Sequence, residues 1–250
     1  MRRWRPRPVS DMQAAKSAYV ATVRAIGAVA RSTGLLGYLE QNKASRTSLY
    51  LRSLFSIYDA EDLARLDLPW WTFDAIEHVD TILRRRGKDM VAFEYGSGAS
   101  TLWLARRCRA VFSVEHDSEW AERTRALCAP HDNVEILAVP PTELTSMTRC
   151  RSGRTGWKEY SFDDYVESIR RYPFLFDLIV VDGRCRVECL EEARNKLSEG
   201  GLIVFDNSNR RRYREACERL QIERTVFKGL VPSLPIPGET TVFHGAKGLV

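Results

Sequence analysis

Apolar positions along the 250-residue chain follow two patterns, with the change near residue 90. Before it they recur at helical spacing. Residues 11–31 are rich in alanine and other good helix formers, and Thr33-Gly34 closes that helix. Leu49, Leu51, Leu54, Phe55 and Tyr58 predict a second helix, and Asp59 to Asp62 the cap of a short third. Phe73, Ile76, Val79, Ile82 and Leu83 give a further amphipathic face, opened by Pro69 and closed by Gly87. Beyond residue 90, short unbroken apolar runs alternate with helical stretches. The runs at Val91–Phe93, Val111–Glu115, Val134–Val139, Phe176–Asp182 and Leu202–Asp206 read as strands buried on both faces. Ile222–Phe227 and Thr240–Phe243 are two final strands, joined by a proline-rich loop, 231–239. Helices are expected from about Ser118 to Cys128, around Phe162–Ile169, around Leu190–Leu197 and from Tyr213 to Leu220. The pattern predicts an α/β fold with a parallel sheet, preceded by helices. The expected organisation is a basic flexible tail (1–10), a helical extension (11–88) and a sheet domain (89–250).

Composition narrows this only slightly. Hydrophobic content of 44% and charged content of 28% are globular values, and no apolar run is long enough to span a bilayer. The basic start, Met1 to Pro8, lacks the apolar core of a secretory signal. The six cysteines form no Cys-x-x-Cys pair and no zinc spacing, so free thiols in a reducing cytoplasm are expected. A net charge of +5 permits an anionic partner without arguing for nucleic acid.

The chemistry concentrates where the first two runs end. Val91-Ala-Phe-Glu-Tyr-Gly-Ser-Gly98 is a strand running into a glycine turn, and a helix follows whose first N–H groups have no partner inside the helix. The second strand ends in Glu115, suitably placed for ribose hydroxyls. The turn lacks the third glycine of a dinucleotide fingerprint and the lysine of a P-loop. Glu94 would repel a pyrophosphate but suits a ligand with a cationic end.

An acid followed by Gly-x-Gly, with a second acid ending the next strand, resembles the class I methyltransferases that use S-adenosylmethionine (SAM). The resemblance covers roughly Val91 to His244. It implies a Rossmann-like, doubly wound, seven-stranded sheet, mostly parallel with an antiparallel C-terminal strand. It also implies an enzyme that binds SAM through Glu94, Tyr95, Gly96, Ser97, Gly98, Ser100, Glu115 and His116, with His116 beside the adenine.

Asp182 and Asp206-Asn207 end adjacent strands. They resemble the metal site of catechol-type O-methyltransferases, where Mg²⁺ holds the acceptor oxygens. That family's lysine base is replaced here by Cys185, between Arg184 and Arg186. Three readings stay open: Asp182, Asp206 and Asn207 as metal ligands; Asp182 acting on the acceptor directly, with Arg184 beside it; or Asp206 and Asn207 as a helix cap. Arg184, Arg186, Arg210, Arg211, Arg212 and Arg214 follow the same strands and suggest a small anionic acceptor, unless they are only a solvated helix start. The aperiodic stretch 142–158, with Trp157 and then Tyr160 beyond it, and the 231–239 loop are candidate lids. Nucleic-acid methylation and a non-catalytic binding module are the alternatives. The N-terminal helices could pair two subunits.

Overall fold

A computed structural model describes residues 11–246. The basic tail expected at 1–10 lies outside the described residues. The chain forms two compact units, one reaching to Asp59 and taking in Ser233–Pro235, the other holding the rest.

The first unit contains helices α1 (Asp11–Ser32), α2 (Leu35–Gln41) and α3 (Arg46–Ser53). Ala30, Leu36 and Leu39 are buried. Arg52 is also buried, and its Nε donates to Glu40 Oε1 at 2.7 Å. Pairing is what makes a buried guanidinium tolerable. α2 has no counterpart in the sequence reading, because seven residues with Gly37 among them carry little periodicity.

In the second unit, α4 (Ala60–Arg65) and α5 (Phe73–Arg86) lie with the sheet, although the sequence grouped them with the helical extension. α5 starts at Phe73 behind an extended Thr72, four residues after the expected Pro69, and closes on Gly87 at φ 73°. The sheet strands are β1 (Val91–Tyr95), β2 (Ala110–Glu115), β3 (Val134–Ala138), β4 (Phe176–Val181), β5 (Leu197–Asp206), β6 (Arg224–Val231) and β7 (Leu234–His244). Between them come α6 (Ala99–Ala105), α7 (Ser118–Cys128), α8 (Asp163–Glu167), α9 (Arg186–Lys196) and α10 (Arg211–Arg219). The spatial order is β3-β2-β1-β4-β5-β7-β6. Strands β3 through β5 run parallel, and β7 is antiparallel to β5. This is the expected seven-stranded, doubly wound architecture. The order reverses beside β1, so the carboxyl ends of β1 and β4 open a crevice at the switch point.

The core is built on unbroken apolar strands: all five residues of β1 are buried, as are Leu178 to Val181 of β4 and Leu202 to Phe205 of β5. Trp71 is fully buried and meets Trp103 of α6 edge to face at 5.5 Å, a packing role.

Two strands are longer than expected. β5 starts at Leu197, where a register shift against β4 accommodates Gly200 at φ 64°. β7 absorbs most of the proline-rich 231–239 stretch, so the lid expected there is a strand instead. Its pairing with β5 covers only Thr240–His244. Pro235 and Pro237 therefore sit where β5 asks for no N–H donor.

Candidate functional site

The turn after β1 is set by contact between two glycines. Gly96 has φ 94°, and a Cβ on it would stand 2.8 Å from Gly183 Cα and 2.9 Å from Gly183 N. The turns after β1 and β4 thus touch backbone to backbone. Gly98 is different: a Cβ there would meet nothing within 4 Å. The open space lies beside the first turn of α6 and suits a small polar ligand.

Glu94 does not face that space. It is fully buried, and its carboxylate accepts from Ser100 Oγ (2.5 Å), Thr101 Oγ1 (2.5 Å) and Ser113 Oγ (2.9 Å). Thr101 Oγ1 in turn accepts from Gly98 N–H at 2.9 Å. Glu94 therefore holds the turn and the start of α6 against β2, one step behind the surface. Burial raises its pKa to about 7, against the pull of the three hydroxyls. The sequence offered a signal for Ser113 that the reading missed. It is a polar residue inside an apolar strand, in direct register with Glu94.

Glu115 is buried at the end of β2 and gathers the backbone of the neighbouring turns. Its Oε2 accepts from Ser97 N–H at 3.0 Å, and its Oε1 from the N–H groups of His116 (2.8 Å) and Asp117 (3.0 Å). Ser97 O accepts from Trp120 Nε1 at 2.7 Å, tying the turn to α7. His116 Nδ1 lies 2.5 Å from Glu115 Oε1, and its Nε2 accepts from Arg184 Nε at 3.2 Å. Accepting from Arg184 leaves Nε2 without a proton, so the neutral ring carries it on Nδ1, which closes no hydrogen bond among the described residues. Trp157 stands edge-on to the His116 ring at 5.1 Å, with Phe162 and Tyr165 close by. Glu115, His116, Arg184 and Trp157 thus converge from the ends of β2 and β4 and from the loop beyond β3.

That loop is held at its base. Thr142–Glu143 and Tyr160–Ser161 pair as a two-residue antiparallel ribbon. Asp163 accepts from the N–H groups of Arg149 and Cys150 and from Ser161 Oγ, so one carboxylate fastens both stems.

Tyr165 was not singled out from the sequence. It is fully buried, its hydroxyl lies against Gly183, and no hydrogen bond closes on that oxygen among the described residues.

The expected metal ligands are brought together, but around a different cation. Arg186 is buried. Its Nη2 donates to Asp182 Oδ1 (2.5 Å) and Asp182 O (2.7 Å), and its Nη1 donates to Asp206 O (2.5 Å) and stands 3.5 Å from Asp206 Oδ2. Asp206 also accepts from Thr240 Oγ1 at 3.0 Å and from the Asn207 amide. The Asn207 Oδ1 expected on the metal accepts from Arg210 Nη2 at 2.7 Å. Among the described residues no cluster of His, Cys, Asp or Glu is disposed to hold a metal ion. The oxygens assigned to Mg²⁺ are engaged with guanidinium and amide donors, and the set does not fit a hard divalent ion. Burial raises the pKa of Asp182, with Arg186 pulling the other way; burial and the nearby Asp182 raise that of Asp206. Asp182 is 19% exposed against 5% for Asp206, so Asp182 is the more accessible of the two carboxylates.

The arginine cluster divides on inspection. Arg186 turns inward, Arg211 pairs with Glu215 and Arg214 reaches Asn209 O. Arg212 lies over the Tyr213 ring at 4.7 Å, and its guanidinium meets Gly153 on the fastened loop. Arg184 and Arg212 pair with no carboxylate among the described residues. The Arg184 pKa is lowered by burial and by Arg154 beside it.

Residues 93–208 match the family model of a methyltransferase domain. Over those residues the chain is similar to methyltransferase domains. Solved structures repeat the fold. A Klebsiella pneumoniae protein described as an O-methyltransferase is 18% identical with a TM-score of 0.54, over 85% of this chain and 97% of its own. TomG from Streptomyces achromogenes, an O-methyltransferase of tomaymycin synthesis solved with SAM, is 19% identical with a TM-score of 0.53, over 76% and 90%. An O-methyltransferase from Bacillus cereus, solved with SAH, gives 19% and 0.53, over 77% and 90%. Comparison with curated protein sequences gives no match. Among the described residues no helix is long and apolar enough to cross a membrane.

Proposed function

We propose that the chain methylates a hydroxyl of a small anionic metabolite without a metal ion, with SAM held in the crevice beside Gly96–Gly98. SAM, when bound, supplies a methyl group on a cationic sulfur, already activated for transfer. The protein's part is to bind, orient and exclude water. Gly96, Ser97 and Gly98 offer close backbone approach, with Tyr95 and Ser100 behind them. Glu115 receives the ribose, His116 flanks the base, and Glu94 holds the turn in shape. Asp182 Oδ2, which no group among the described residues engages, takes the acceptor's proton. Arg184 and Arg212 receive the acceptor's negative charge.

The observation that carries this reading is Asp182. It is the partly exposed carboxylate at the switch point, held through one oxygen by Arg186 and open at the other. The six buried free thiols suit a cytoplasmic setting. Exposed Ile26, Val29 and Tyr38 on the N-terminal helices are the surface on which a homodimer would form.

The test is calorimetric titration with SAM and its demethylated product, followed by transfer of a labelled methyl group to a panel of hydroxylated carboxylates and phosphates. Glu115→Ala should weaken SAM by at least about tenfold, since roughly 1.4 kcal/mol corresponds to that factor. Undiminished affinity in that variant would sink the assignment of the pocket.

A further inference from the structure

We infer that Arg186 is a built-in replacement for a divalent ion: its guanidinium occupies the position between Asp182 and Asp206, and the site is closed to metal as long as the arginine is there. The contacts are those that a hard cation would make, supplied by nitrogen donors. One end of the fork takes Asp182 through its carboxylate and its carbonyl, and the other takes the Asp206 carbonyl and faces its carboxylate. A third donor, Nε, reaches Gly183 O at 3.1 Å. The turns after β4 and β5 are thus joined by one buried side chain, whose ring-facing side lies 5.9 Å from Tyr213. A planar fork suits this bridging, since its donors are fixed relative to one another. An added ion would bring a second positive centre beside a buried guanidinium.

The consequence is a division of labour. Asp206 has both carboxylate oxygens engaged and serves as an anchor. Asp182 keeps Oδ2 toward the acceptor. Arg186 touches neither donor nor acceptor. It is a positioning residue that fixes the orientation of Asp182 and balances two buried negative charges.

This role at the acceptor rests on the function proposed above, but the ion-binding measurement does not, so the two can fail separately. The probe is Mn²⁺, titrated into the full chain and followed by electron paramagnetic resonance, with thermal unfolding measured alongside. The wild type should leave the spectrum of free Mn²⁺ unchanged and show no shift in thermal midpoint, and a chelator should leave SAM binding unaltered. A saturable Mn²⁺ site in the wild type that Asp206→Asn removes would overturn the proposal. Arg186→Met should gain a saturable site and a thermal midpoint that rises with Mn²⁺, because the paired carboxylates then lack a counter-charge. A folded Arg186→Met that binds no Mn²⁺ overturns the idea that the guanidinium stands in for an ion. If Arg186→Met does not fold, the wild-type arm decides the question by itself.

Discussion

Gly96 and Gly183 meet backbone to backbone across the switch point, and neither has room for a side-chain carbon. Gly96→Ala combines a positive-φ penalty with overpacking against main-chain atoms that cannot move aside. It should lose roughly 2–4 kcal/mol of stability together with SAM affinity. Urea unfolding and calorimetry would read both. A stable Gly96→Ala with native affinity would contradict the contact.

Tyr165→Phe is expected to act in opposite directions on stability and function. Removing a buried hydroxyl that makes no hydrogen bond should stabilise the fold by about 1 kcal/mol. If that hydroxyl is kept for a ligand, turnover or affinity falls at the same time. Gly183→Ala drives a methyl group into the Tyr165 oxygen, so adding Tyr165→Phe should recover part of its cost in a double-mutant cycle.

Glu94 makes stability depend on pH in an unusual direction. Its folded pKa, about 7, is raised above the ordinary 4.5 by burial. The folded state therefore holds the proton more tightly than the unfolded chain. The resulting stabilisation is complete below about pH 4.5 and is lost as pH rises toward 7, with an upper size of roughly 3 kcal/mol. Glu94→Gln should flatten that part of the stability curve. An unchanged slope would show that the carboxyl titrates normally.

Asp182→Asn keeps the size of the side chain and an acceptor for Arg186 while removing the base. Turnover should fall by about 100-fold or more, with SAM affinity nearly unchanged. A matching loss of SAM affinity would assign Asp182 to the cofactor instead.

The sheet was legible because its strands are unbroken apolar runs and Glu115 ends one of them where the pattern turns polar. The helices 118–128 and 211–219 were legible from their period, and Asp117 caps the first by accepting from Trp120 N–H. Three features were hidden for physical reasons. Arg186 stands in a run with Arg184, and arginines in such runs usually face water, so no pattern marks one that turns into the core. Glu94 looked like a direct ligand because the acid-glycine spacing says nothing of hydroxyls arriving from β2 and α6. The 231–239 strand was read as a loop because proline argues against pairing. That argument fails on the side facing β5, whose pairing with β7 covers only Thr240–His244.

Asp163 fastens both stems of the loop that carries Trp157 and Arg154. Such a segment is modular. Its middle can be lengthened, recoloured in charge or exchanged for another sequence without a strand changing register, so selectivity for new acceptors can evolve there while the donor-binding half of the molecule stays as it is.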